Sequence, residues 1–324
     1  MLIVQKFGGS SIADGDRLRR AAGICMRQRL NGNEVVVVVS AMGDTTDLLA
    51  DRARVLGGKP SPREMDALIT TGEQQSAALL VMTMESLGIP AVSLAGWQAG
   101  IYTDCRYGDS DIRLIAPVRI REVLSRGRVP VVTGFQGVCA AGDITSLGRG
   151  GSDTTAVALA AALESDCCEI YTDVDGIYTA DPRLIPDAVK LDAIDYRDML
   201  ALAEAGSQVL HAKSVELAMA NSVVIHLLSS FTDAPGSQVR ALRDGSRPDF
   251  AGITRSRASG EISLAGKAAD AAALSQAVLL LAAEGIEVLS GSVGDGRISV
   301  LVEEAEQPHA MQLLHREMIL GALK

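Results

Sequence analysis

The sequence predicts an α/β protein: a three-layer αβα domain on a mainly parallel sheet, followed by a small ferredoxin-like α+β module. Three observations carry this. Through the first two thirds of the chain, short runs rich in β-branched residues alternate with helical periodicities. The 324 residues are 48% hydrophobic but only 3% aromatic, so a large core must be made of Val, Leu, Ile and Ala. Beyond two loop-like stretches, Thr232–Ser237 and Asp244–Asp249, the alternation gives way to a different order of elements.

In chain order, Leu2–Phe7 reads as a strand and Asp14–Leu30 as a helix. The valine run Val35–Ser40 is a strand, followed by helices at Thr46–Leu56 and Pro62–Leu87. Pro90–Leu94 is a strand, Ala116–Arg126 a helix and Val129–Thr133 a strand. A helix at Asp153–Ser165 leads to a strand at Cys168–Thr172, helices at Tyr196–Ala205 and Ala212–Asn221, and a strand at Val223–Leu228. Ligands of parallel α/β sheets gather at the carboxyl ends of the strands, which is where Lys6, Ser40, Gly134 and Thr172 fall. In the second part, Gly252–Ala265 reads as one strand, Asp270–Gly285 as an apolar helix, Ile286–Ser292 and Arg297–Glu303 as strands and Pro308–Ile319 as a helix. This βαββα order is a ferredoxin-like module without its last strand. The expected division is a domain over residues 1–235, a linker at about 236–249 and a module over 250–324.

A net charge of −10 and the lack of any Lys/Arg-rich run argue against a nucleic-acid partner. The five cysteines show no CxxC spacing and no histidine at zinc-finger distance, and are expected to be reduced, buried thiols. Cys167 and Cys168 would point to opposite faces of a strand. The start of the chain lacks a signal-peptide layout and the longest apolar runs fall short of a membrane span, so the expected compartment is the cytoplasm, with no membrane partner.

Two glycine loops carry the chemistry. Leu147-Gly-Arg-Gly-Gly-Ser-Asp-Thr-Thr-Ala156 opens an apolar helix. Its glycines free backbone N–H groups to face an anion, the helix start adds partial positive charge, and Arg149 offers a planar fork for a carboxylate or phosphate. Asp153 is either an N-cap or an active-site group. Far away in sequence, Lys6-Phe-Gly-Gly-Ser-Ser11 repeats this chemistry at a strand end. Burying an unpaired ammonium is costly, so Lys6 is either an edge residue beside a glycine turn or a ligand of the β- and γ-phosphates. Together the two loops suggest one phosphate site.

With Val39-Ser-Ala-Met-Gly-Asp-Thr-Thr46, Thr70-Thr-Gly-Glu-Gln74, Gly134-Phe-Gln-Gly137 and Thr172-Asp-Val-Asp-Gly-Ile-Tyr-Thr-Ala-Asp-Pro-Arg183 in order, nearly the whole chain resembles the aspartokinases of the amino-acid kinase family. The resemblance implies transfer of the ATP γ-phosphoryl group to the side-chain carboxylate of L-aspartate. That acceptor is already ionised near neutral pH, so cations and backbone donors are needed rather than a general base. It implies ATP and Mg²⁺ as cofactors, no protein metal cluster, and catalytic roles for Lys6, Asp153, Gly9 and Ser10. Ser40, Thr46, Glu73, Arg149 and Phe135 would bind the substrate, Glu73 its ammonium and Arg149 its carboxylate. As bare sequence, Thr46 could be a helix N-cap and Glu73 a solvated helix residue. Lys6, Gly8, Gly9, Ser10, Thr172, Asp173, Tyr178, Asp181, Arg183 and Gln208 would bind the nucleotide. Gln208 stands in Gly206-Ser-Gln-Val-Leu-His211 where relatives often have a lysine.

The resemblance extends to an ACT-type regulatory module, here a single incomplete copy with Gly266-Lys-Ala-Ala-Asp270 in place of the usual effector-facing turn. A missing last strand would expose a sheet edge for pairing with another chain. The expectation is a homodimer or larger homo-oligomer with weak feedback inhibition, in a pathway toward lysine, threonine or methionine. The alternatives are a kinase of glutamate or N-acetylglutamate, and a non-catalytic nucleotide-binding subunit.

Overall fold

The computed structural model describes residues 1–56 and 58–321. They fall into two compact units: Met1–Asp175 with Ala220–Pro235, and Gly176–Met219 with Gly236–Lys324. Residues 322–324 of the expected 250–324 module lie outside the described residues.

In the first unit, six parallel strands lie in the order Ile225–Ser229, Cys167–Thr172, Leu2–Phe7, Glu34–Val39, Val129–Thr133 and Ala91–Leu94. Val35 to Val39 are each at most 1% exposed, because a central parallel strand is covered on both faces. One covering layer joins Leu18, Ala22 and Cys25 of the Gly15–Leu30 helix with Ala77, Leu80 and Met84 of the Thr71–Ser86 helix. The aliphatic core inferred from composition and the parallel sheet inferred from alternating strands and helices are present.

The same unit holds a second, mixed sheet, ordered Ile112–Ile115, Ile101–Thr103, Gln136–Cys139 and Ile144–Ser146. Its three- and four-residue strands are too short to show a period in the sequence. The helix expected over Pro62–Leu87 is two helices, Pro62–Ile69 and Thr71–Ser86. The Thr70 carbonyl between them accepts the Gln136 side-chain amide at 2.8 Å. Gly72 also lies so close to the chain that a Cβ there would sit 2.8 Å from Ala41 Cβ. The break places Glu73 in the first turn of the second helix.

The cysteines differ in part from expectation. Cys105 and Cys139 form a disulfide across a Cα separation of 5.2 Å. The register that sets Thr103 beside Cys139 brings Cys105 within reach, a relationship invisible along 34 residues of sequence. Cys167 and Cys168 are free thiols in one strand, half-buried and buried, as alternation of faces requires.

In the second unit, Ala193–Ile194 pairs in parallel with Ser237–Val239, and Ile177–Tyr178 pairs antiparallel with Lys190–Leu191. A four-stranded antiparallel sheet follows, ordered Gly252–Arg255, Ile262–Ala265, Arg297–Val302 and Val288–Gly294. Helices Ala271–Ala283 and Gln307–Leu314 bury Ala277, Leu281 and Leu314 against it. The stretch read as one strand, Gly252–Ala265, is a hairpin: Gly260 takes φ +75° and its N–H bonds the Ser256 carbonyl at 2.9 Å. Gly252–Arg255 therefore flanks Ile262–Ala265 on the side that the expectation left open.

Candidate active site

The site is built from loops that leave the carboxyl ends of the parallel strands, and hydrogen bonds tie these loops together. Ser40 N–H donates to Phe7 O at 3.1 Å, Gly43 N–H to Gly9 O at 3.1 Å, and Gly134 N–H to Val39 O at 2.9 Å. Gly9 approaches so closely that a Cβ on it would lie 2.6 Å from Ala41 O. Around these loops lies a cavity of about 590 Å³ lined in part by Lys6, Gly9, Ser40, Thr46, Glu73 and Asp66 on one side of the chain order, and Phe135, Arg149 and Asp153 on the other.

Lys6 is 8% exposed, near the end of a central strand. Its Nζ lies 2.6 Å from Asp153 Oδ1, a close ion pair without the alignment of a hydrogen bond. Of the two readings of Asp153, the cap is the one that the structure removes. The helix Gly151–Leu163 is entered through Gly150 in the left-handed region (φ +68°), and the Asp153 side chain makes no cap. Lys6 is correspondingly no exposed edge residue: it is buried and lines the cavity.

Thr46 is likewise not an N-cap: its helix begins at Thr45, with Asp44 at the cap position, and Thr46 lines the cavity. Gly151 must be a glycine because a Cβ there would meet the Phe135 ring at 2.8 Å. Phe135 itself is held at φ +69°, uncommon for a non-glycine residue. Its N–H donates to Thr155 Oγ1 at 3.1 Å and its carbonyl accepts Leu147 N–H at 2.9 Å.

Glu73 is only 3% exposed. Its Oε1 accepts the Ala41 N–H at 3.0 Å, while Oε2 is buried without a hydrogen-bond partner. Loss of hydration pushes its carboxyl up to about 7, against the counteracting backbone hydrogen bonds. Arg149, by contrast, is exposed at the cavity and has no ion-pair partner among the described residues. With Lys6 and Asp153 matched to each other and Asp66 hydrogen-bonded by Ser146 and Gly108, the Arg149 guanidinium and the half-bonded Glu73 carboxyl are the charged groups left open among the described lining residues. That combination suits a zwitterion.

Asp66, absent from the expected site, is the most enclosed carboxylate of the wall at 1% exposure. In the sequence it looks like an ordinary helix charge, and only the fold turns it inward.

The structure brings Lys6, Gly9, Ser40, Thr46, Glu73, Phe135, Arg149 and Asp153 to one cavity. Gly8 and Ser10 flank Gly9; the Gly8 N–H is already donated to Tyr171 O at 3.1 Å and the Ser10 carbonyl accepts Arg17 at 2.6 Å. Thr172 and Asp173 sit at the end of the neighbouring parallel strand, their side chains joined at 3.0 Å. Tyr178, Asp181, Arg183 and Gln208 belong to the second unit. There Arg183 Nε and Nη2 form a forked pair with Asp181 at 2.9 and 2.7 Å, and Gln208 is exposed. Among the described residues no three His, Cys, Asp or Glu side chains converge as a metal site, and no helix is long and apolar enough to cross a membrane.

The chain is similar to known proteins. The model of the amino acid kinase family matches residues 1–229. The aspartokinase of Mycolicibacterium smegmatis is 49% identical over 269 residues, which are 82% of this chain and 64% of that protein. The chain thus spans just under two thirds of the length of that relative. The crystal structure of aspartate kinase from Synechocystis matches with TM-score 0.68 and 32% identity, over 98% of this chain and 69% of that one. Escherichia coli aspartokinase III, solved in complex with aspartate and ADP, shares the fold at TM-score 0.84, with 21% identity over 98% and 100% of the two chains.

Proposed function

The chain belongs to the amino acid kinase family, and from that premise we propose that it transfers the γ-phosphoryl group of ATP to the side-chain carboxylate of L-aspartate, giving 4-phospho-L-aspartate and ADP. The observation that carries the acceptor is the pair of unmatched charges in one cavity, the Glu73 carboxyl with its unpartnered Oε2 and the Arg149 guanidinium. Free aspartate offers an ammonium to the first and an α-carboxylate to the second, leaving its β-carboxylate for the reaction. The half-identical aspartokinase relatives support the same reading.

In the reaction an oxygen of the β-carboxylate forms a bond to the γ-phosphorus while the bond from that phosphorus to the bridging oxygen breaks. ADP takes the electron pair. No proton has to leave the acceptor, since a carboxylate near its reference pKa of about 3.9 is ionised at neutral pH. The obstacle is repulsion between anions, and the residues address it. Lys6 meets the phosphate charge and Asp153 holds the Lys6 ammonium in place. The amides of Gly9 and Ser10 border the phosphates, and Ser40, Thr46 and Phe135 align the acceptor. Mg²⁺ would come with the nucleotide and neutralise phosphate charge: magnesium is ordinarily held by phosphates and water with one or two carboxylates, and Asp153 is the carboxylate beside Lys6.

Thr172, Asp173, Tyr178, Asp181, Arg183 and Gln208 are proposed to bind the nucleotide, within a catalytic domain of residues 1–235 in a cytoplasmic enzyme of aspartate-family amino-acid synthesis. The 250–324 module is proposed to mediate homo-oligomers; the exposed edge strand Val288–Gly294 supports this, and light scattering would test it.

The deciding experiment is trapping of acyl phosphate with hydroxylamine, with Mg-ATP and aspartate, glutamate or N-acetylglutamate in parallel. Product with aspartate and little with the other two is expected. Preference for N-acetylglutamate, which has no ammonium, would overturn the assignment.

A further inference from the structure

Asp66 lies on the Pro62–Ile69 helix, and nothing in the proposed chemistry uses it. Both oxygens of its carboxylate are engaged. Oδ1 accepts the Ser146 hydroxyl at 2.7 Å, and Oδ2 accepts both the Ser146 N–H and the Gly108 N–H, each at 2.9 Å. A carboxylate with three donors and 1% exposure is a rigid joint, because leaving any of these groups unpaired in the interior is costly.

The donors come from the end of the Ile144–Ser146 strand and from a loop, both bordering the cavity. Ser146 immediately precedes Leu147-Gly148-Arg149, so its position sets where the Arg149 loop begins. Gly108 belongs to the 104–111 segment, which buttresses that same loop. Ser110 N–H donates to Ser146 O at 2.8 Å, and Asp109 approaches Gly148 so closely that a Cβ there would lie 2.4 Å from Asp109 Oδ1. The segment is held from outside by the Cys105–Cys139 bond and by Tyr107 donating at 2.9 Å to Asp143, which is itself paired with Arg63 at 2.6 Å. From the cavity side its backbone is held by Asp66. The Arg149 guanidinium has no such restraint of its own, so its aim depends on its backbone.

We propose that Asp66 is a positioning residue: by clamping Ser146 and Gly108 it fixes the stem of the Arg149 loop and thereby sets affinity for the anionic end of the acceptor. This rests on Arg149 as the acceptor-binding residue. Asparagine can keep the clamp, since its carbonyl can accept both backbone amides while its NH₂ faces the Ser146 hydroxyl. Alanine cannot.

The test compares Asp66→Ala, Asp66→Asn and Ser146→Ala in the full chain, by steady-state kinetics and by amide hydrogen exchange. Asp66→Ala should raise the KM for aspartate about tenfold or more, with the KM for ATP within about twofold. Asp66→Asn should restore it to within about threefold of wild type, and exchange at Gly108 and Ser146 should accelerate in the alanine variant alone. Ser146→Ala, which removes one donor, should give an intermediate rise and serves if Asp66→Ala does not fold. Equal increases in both KM values, an asparagine variant as impaired as alanine, or unchanged exchange at the two amides would overturn the proposal. Exchange needs no substrate: if wild-type protein fails to use aspartate, the functional reading falls while the clamp is still decided by those amides.

Discussion

The Lys6 ammonium and the Asp153 carboxylate, 147 positions apart, meet at 2.6 Å with side chains 11% and 15% exposed. The pair joins the end of the first strand to the first turn of the helix after the second glycine loop. Each partner makes burial of the other tolerable. Lys6→Ala should therefore lower kcat on the order of 10²–10³-fold and leave an unpaired carboxylate that lowers the melting temperature. Steady-state phosphorylation alongside thermal unfolding checks both, and near-wild-type turnover would remove Lys6 from the phosphate site.

Glu73 should give the acceptor reaction an acidic limb. Its carboxyl, lifted to about 7 by burial, attracts an ammonium only when ionised. Thus kcat/KM for aspartate should fall roughly tenfold per pH unit below that value and level off above it, while kcat, which reports the bound complex, should change less. A pH profile with no transition between 6 and 8 would contradict this.

The same shift makes a stability prediction of defined sign. A carboxyl whose folded pKa exceeds its unfolded value near 4.5 contributes stability that is full below 4.5 and is lost as pH rises through about 7. Glu73→Gln should then stabilise the unliganded protein by roughly 3 kcal/mol at pH 8 and by little at pH 4. Urea unfolding at the two pH values measures the difference.

Arg149→Ala should mainly impair use of aspartate. A lost charge-assisted contact is worth about 1.5–3 kcal/mol, or about 10- to 150-fold in KM for aspartate, with the KM for ATP little altered. An unchanged aspartate dependence would exclude Arg149 from acceptor binding.

Gly9→Ala tests the joining of the two strand-end loops. The new Cβ would stand 2.6 Å from Ala41 O, and backbone on both sides leaves no flexible group to give way. A loss of about 1–3 kcal/mol and of most activity is expected, seen by calorimetry and the phosphorylation assay. An alanine variant of ordinary stability would mean that the loops are less tightly joined than described.

How much was legible followed from how local the cause was. The strands Leu2–Phe7 and Val129–Thr133 have the bounds that their β-branched runs imply. The glycine loops announced an anion site because glycine, lysine and arginine carry that chemistry by themselves. Asp153 and Thr46 stayed ambiguous, since a hydroxyl or carboxylate near a helix start suits a cap or a site equally well. The Asp66 clamp, the second sheet and the Cys105–Cys139 pair were hidden because each depends on partners many residues away. The sequence by itself therefore determined the layered parallel fold and the kinds of group at the site, through short-range periodicity and side-chain chemistry. Only the tertiary structure decided which charges are satisfied and which stay open: Lys6 with Asp153, Asp66 with Ser146 and Gly108, and Glu73 and Arg149 unmatched. Burial and long-range register fix those pairings, and neither is written in neighbouring residues.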